Sequence, residues 1–172
     1  MNDRLQAIIE KQEIHDVLMR YCRGVDRCDA RLIDQAFHAD AADEHIERSS
    51  TESIGEAIVR AVTEQATATT HLIGNLLIEL HGNVADVESY FMAFQFRERD
   101  GRRYTRTRAG RYIDRFERRD GTWRIAARSV ADDWHRVDEV IATSPESAGW
   151  MKGSRSMSDP VFVATMRERK PR

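Results

Sequence analysis

The sequence predicts an α+β fold, with helices first and a sheet wrapped around them. Two patterns carry that expectation. Apolar residues before Thr69 recur at helical spacing. After Thr69 the chain is cut into long strand-like runs by Gly82-Asn83, Asp100-Gly101 and Asp120-Gly121, dipeptides suited to tight hairpins.

Residues 3–26 read as one amphipathic helix. Leu5, Ile8, Ile9, Val17, Leu18, Tyr21, Cys22 and Val25 form its apolar stripe, and Glu10, Lys11, Glu13, Asp16, Arg20 and Arg23 lie outside it. Asp29 suits the N-cap of a short helix carrying Leu32, Ile33, Ala36 and Phe37. Phe37 to His45 then leads into a short strand, and Ser53 or Thr51 caps a third helix through Ile54, Ala57, Ile58 and Val62. The turn dipeptides bound four strands, at 70–81, 84–99, 102–118 and 122–136, in an antiparallel meander. Beyond Asp138 the chain is turn-rich yet carries Trp150 and Met151, which suggests docking, and Val161–Thr165 suits a short added strand.

The chain has 172 residues, enough for one domain with a core and short for two. Lysine and arginine total 27 against 29 acidic residues, so the net charge of −2 gives no general pull toward nucleic acid or membrane. No apolar run approaches the ~18–20 residues of a membrane span, and the first residues lack a secretion-signal pattern. Cys22 and Cys28 are the only cysteines, read as reduced thiols of a cytoplasmic protein.

Two residues stand out as candidates for chemistry. Asp26 ends the first helix, where a carboxylate faces the negative end of the dipole at a cost of roughly 0.3–1 kcal/mol and wants a compensating partner. His71 opens the strand region, and strict alternation puts it on one face with Ile73, Asn75 and Leu77. A carboxylate that orients an imidazole makes a general base near neutral pH. The plainer readings are a solvated turn aspartate and a satisfied core histidine. Arg128 shares its face with Arg124, Ala126 and Val130, where a guanidinium suits an anion or an ion pair with Asp132 or a cross-strand glutamate. Tyr21 offers a hydroxyl donor or a plain core aromatic. The six histidines form no recognised metal spacing, although His38-Ala-Asp40 and Asp43-Glu-His45 set acids beside imidazoles, so no metal or cofactor is expected. Arginines from Arg97 to Arg111 alternate with acids around a hairpin tip, which suits a solvated sheet end or an oligomer contact better than nucleic acid.

Four segments together resemble the SnoaL-like branch of the nuclear transport factor 2-like superfamily, in particular its scytalone dehydratase and hexachlorocyclohexane dehydrochlorinase group. They are Ile14-His-Asp-Val-Leu-Met-Arg-Tyr21-Cys-Arg-Gly-Val-Asp26, Phe37-His-Ala-Asp-Ala, Thr70-His71-Leu-Ile-Gly-Asn75, and the stretch from Gly110 through Trp123 to Ile125. The resemblance implies a cone of four to six curved, mostly antiparallel strands closed by three N-terminal helices, spanning residues 1–140. Residues 141–172 would be an extension docking on the pocket or on a neighbouring subunit. It also implies a catalytic Asp26–His71 dyad, with Tyr21, Asn75 and Arg128 toward the substrate. Tyr21 stands near a lysine position of the dehydrochlorinase, which favours loss of water over loss of halide.

The expected function is a cofactor-independent, dehydratase-type lyase that takes a carbon-bound proton from an apolar cyclic substrate and assembles as a homodimer or homotrimer. The alternatives are an isomerase using the same base, or a non-catalytic binding module or dioxygenase small-subunit-like scaffold.

Overall fold

The computed structural model describes residues 3–141, 150–156 and 158–162. Its elements run α1 (Asp3–Arg27), α2 (Ala30–Asp34), β1 (Phe37–Asp43), α3 (Ile54–Gln65), β2 (Ala68–His81), β3 (Val84–Arg99), β4 (Arg102–Arg119) and β5 (Thr122–Glu139). The caps are local chemistry. Asp29 accepts the Leu32 amide at the start of α2, and Ser53 and Glu56 form a reciprocal capping box on α3. Asp100-Gly101 and Asp120-Gly121 place both central residues at positive φ, as a type I′ turn requires, whereas Gly82-Asn83 does so only at its glycine.

One mixed sheet results, in the order β1-β5-β4-β3-β2. The meander from β2 to β5 is antiparallel, and β1 joins β5 in parallel. Register shifts break the ladders at Phe37/Ala42, Ile73/Leu76, Ala109/Gly110 and Arg115/Phe116. Such bulges bend and coil strands. The open sheet therefore curls around the helices, as in the nuclear transport factor 2-like cone.

The core lies between the helices and the concave face. Ile14, Val17, Leu18 and Ile33 meet Phe116, Trp123 and Ile125, all fully or almost fully buried. The stripe of α1 faces inward only from Ile14 onward; Leu5 and Ile8 are exposed. At Gly110 an added Cβ would stand 2.2 Å from the Ala131 carbonyl oxygen and 2.9 Å from the Phe91 ring.

The stretch 154–162 rests on the ends of the helices. Arg155 donates to the Ala66 carbonyl at 2.7 Å, Arg23 lies over the Phe162 ring, and buried Asp159 contacts Arg27 at 3.3 Å. One feature differs from the sequence expectation. Residues 160–162 form a helical turn rather than a strand, since Asp159 accepts the Val161 amide and its carbonyl the Phe162 amide; 163–165 lie outside the described residues. Trp150 is 80% exposed on this single chain.

Gly110→Ala is expected to destabilise the fold by about 1–3 kcal/mol in chemical denaturation, because the Ala131 backbone cannot yield as a side chain would. Asp159 yields a pH prediction. The Ser154 amide foremost, then the Val161 amide and Arg27, hold its carboxyl below the usual aspartate range. A lowered folded-state pKa means that the anchor is complete above the ordinary aspartate value of about 3.9 and is lost as pH falls through the lowered one. Protection of the Ser154 and Val161 amides from hydrogen exchange, relative to their intrinsic rates, should fall in that acid window, and already at neutral pH in Asp159→Asn.

Candidate active site

Asp26 and His71 meet where the end of α1 lies against β2. Because β2 is an edge strand, its outward backbone groups need cover. Asp26 supplies it: Oδ2 accepts the His71 amide at 2.9 Å, and Oδ1 accepts the Thr69 hydroxyl at 3.0 Å. Oδ1 also lies 2.7 Å from Nδ1 of the His71 ring. Bonds to a charged acceptor contribute roughly 1.5–3 kcal/mol each. Three of them outweigh the unfavourable helix-end position. A carboxylate at Nδ1 favours the tautomer with its proton there and leaves Nε2 bare.

The His71 side chain is only 8% exposed and lines a cavity of about 120 Å³. Tyr21, His45, Gln95, Arg108 and Tyr112 supply its polar wall, while Val25, Ile58, Val62, Phe91 and Val130 supply its apolar one. Larger depressions, such as the groove of about 530 Å³ between Thr63 and Tyr104, are more open and include neither Asp26 nor His71. The smaller space is the less open one, and His71 lines it.

Tyr21 is buried within it. Loss of solvent pushes its pKa up to about 12, partly opposed by the Arg128 charge, so the hydroxyl stays protonated as a donor. Tyr112 is pushed the same way, again chiefly by burial. Burial likewise raises the Cys22 thiol to about 12, which leaves it inert as a nucleophile.

Arg128 does not line the cavity. It is 1% exposed, and its Nε and Nη2 pair with the two Asp114 oxygens at 2.7 Å each. Its Cζ lies 4.3 Å from the Tyr21 ring centre and 4.1 Å from that of Tyr112. Burial works against this charge, and the Asp114 carboxylate outweighs it, holding the guanidinium protonated. The ion-pair reading of Arg128 is thus the one realised, with Asp114 rather than Asp132 as partner. A desolvated cation fixing two tyrosine rings is worth about 2 kcal/mol or more per ring.

Asn75 is also absent from the cavity. Alternation holds from Thr69 through Ile73, and the bulge before Leu76 then shifts the inward set to Leu76, Ile78 and Leu80. Asn75 and Leu77 are turned to the outer, exposed face. A single unpaired residue undoes a period-two inference.

Thr69, Tyr112, Gln95 and Arg108 were missed. Thr69 sits two before His71, so alternation already aligned the two. Arg108 sits four before Tyr112 on β4, but its place in an arginine-rich run obscured it. Arg108 donates to Asp132 through Nη2 at 3.1 Å. Its Nε is buried without a partner, as is Oε1 of Gln95. Among the described residues no three histidine, cysteine or acidic side chains gather as a metal cluster, and no helix is long and apolar enough to cross a membrane.

The SnoaL-like domain profile matches residues 6–129. The chain belongs to the SnoaL-like family. Its fold resembles that of hexachlorocyclohexane dehydrochlorinase LinA-type3 from Novosphingobium barchaimii, at 19% identity over 83% of this chain and 99% of that one, with a TM-score of 0.68. It also resembles a scytalone dehydratase candidate from Novosphingobium aromaticivorans, at 18% identity over 87% and 100%, with a TM-score of 0.64. A variant of Rv3472, a function-unknown protein from Mycobacterium tuberculosis, is 27% identical over 73% of this chain and 77% of that one, with a TM-score of 0.59. No curated protein matches the sequence.

Asp114→Asn tests the buried ion pair. Removing the carboxylate leaves Arg128 charged and unpaired, so unfolding by denaturant should show a loss of about 3–5 kcal/mol.

Proposed function

We propose that this protein is a cofactor-independent lyase of the dehydratase type, with His71 as base, Asp26 as the group that orients it, and Tyr21 as donor to the substrate. The observation that carries this reading is the 2.7 Å contact between Asp26 and Nδ1 of His71, whose ring lines the cavity. Nε2 takes a proton from carbon beside an activating carbonyl, and Asp26 stabilises the imidazolium that forms. The neutral Tyr21 hydroxyl donates to the oxygen on which negative charge develops. Arg128 acts through the tyrosines, whose rings it fixes, and Asn75 has no part. Structural kinship with a named dehydrochlorinase and a dehydratase candidate supports elimination as the reaction class. A non-catalytic scaffold has no use for a braced histidine inside its cone.

The cavity narrows the substrate. An apolar cavity of ~150 Å³ holds one benzene ring, so about 120 Å³ suits a single small ring better than a fused polycycle. The outer sheet face, where Leu72, Met92 and Trp134 stand exposed in one cross-strand row, is the surface we assign to self-association. The protein is taken to work in the cytoplasm, and residues 141–172 to be an extension that docks on the pocket or on a neighbouring subunit, with Arg155 held to the Ala66 carbonyl just after α3.

His71→Ala should abolish elimination from small cyclic β-hydroxy ketones, followed by release of water and appearance of the enone, while circular dichroism and melting stay near wild type. Retained turnover would remove His71 from the mechanism. Tyr21→Phe should lose only about 10–100-fold, in line with loss of one hydrogen bond worth roughly 1.5–3 kcal/mol. Enone formation also separates elimination from isomerisation, which releases no water.

A further inference from the structure

The cavity has a second imidazole that the proposed mechanism leaves unused. His45 follows the end of β1, and its Nδ1 makes a very short contact with Oδ1 of Asp43, which also accepts the His45 amide at 3.1 Å. An aspartate two residues from a histidine often forms such a turn in open solvent. Here the surroundings differ. The Asp43 side chain has no exposed surface, and its Oδ2 is buried without a partner. Leaving half a carboxylate unpaired costs about 1–3 kcal/mol or more, so the arrangement is poor as a purely structural brace. His45 is 27% exposed and lines the same cavity as His71.

The topology sets the two imidazoles on different walls. His45 comes from the β1 edge of the sheet and His71 from β2 at the opposite edge, with three strands between them. Only the curl of the sheet brings both to one cavity. Each ring has its Nδ1 against a carboxylate, so each presents Nε2 as its working atom. The walls also differ in access. His71 is nearly enclosed, which suits a base that must meet a carbon-bound proton free of water. His45 reaches solvent, which suits a group that must regain a proton each turn.

We propose that His45, held by Asp43, is the general acid that protonates the departing hydroxyl, on the elimination reading given above. Nε2 of His71 takes the proton from carbon, and the C–H electron pair becomes the new C=C bond. The C–O bond breaks with its pair on oxygen, which takes a proton from Nε2 of the His45 imidazolium and leaves as water. The step ends with His71 protonated and His45 neutral. Loss of one proton to water and gain of one from it restores both, with no oxidant or co-reactant. Asp43 is the positioning residue, and its carboxylate stabilises the imidazolium before the proton leaves.

The test compares leaving groups. A six-membered cyclic 3-hydroxy ketone needs a proton on its departing oxygen, whereas the 3-acetoxy ketone expels acetate unaided. His45→Gln should lose about 10²–10⁴-fold in kcat on the hydroxy ketone and less than about tenfold on the acetoxy ketone. Asp43→Asn, which keeps the imidazole, should show the same bias to a smaller degree and serves if His45→Gln does not fold. His71→Ala should be inactive on both. Equal losses on the two substrates in the His45 and Asp43 variants, with His71→Ala still dead, would overturn the assignment of His45 alone. Elimination of neither substrate by the wild-type protein, or retained activity in His71→Ala, would overturn the lyase reading and this inference with it.

Discussion

The Asp26 carboxylate is the interaction on which this architecture turns. It stands at the unfavourable end of α1 and takes three hydrogen bonds from the first residues of β2. Those bonds cover the His71 amide on the open edge of the sheet, fix the helix against it and favour the Nδ1-protonated tautomer of His71. One side chain therefore joins the helical layer to the sheet and prepares the candidate base. A protein that needed only the structural seal would have no reason to place an imidazole on the cavity side.

The curl of the sheet is the second constraint. A flat five-stranded sheet separates its edge strands by roughly four strand spacings of about 4.8 Å. Bulges in β1, β2 and β5 bend it until residues from both edges border one space. Between the edges, Arg128 and Asp114 form a buried ion pair that fixes Tyr21 and Tyr112 from behind. Buried ion pairs seldom add net stability. This one orients two hydroxyls whose protons burial retains, which is a use that an apolar core could not serve.

Most of the fold was legible because its signals are local. The turn dipeptides at the three hairpins, two of them at positive φ throughout and the third only at Gly82, set the strand limits to within two or three residues, and Asp29 and Ser53 announced their helices. The pairing of β1 with β5 was not legible, because a parallel partner distant in sequence leaves no local mark. The contact of Asp26 with His71 was legible only as an expectation from segment resemblance, since neither residue's spacing specifies the other. Asn75 failed for a physical reason: the bulge after Ile73 resets alternation. For Arg128 an ion pair was legible but its partner was not, because Asp114 sits directly across on β4, and that register became visible only in three dimensions.

The most direct measurement is the tautomer of His71 by nitrogen-15 NMR of the imidazole ring, with Asp26→Asn as reference. A ring poised as base, braced by Asp26, carries its proton on Nδ1, with Nε2 bare and facing the cavity; the Asn variant should lose that bias. A wild-type ring protonated on Nε2, unchanged by the substitution, would contradict the role assigned to Asp26 and His71.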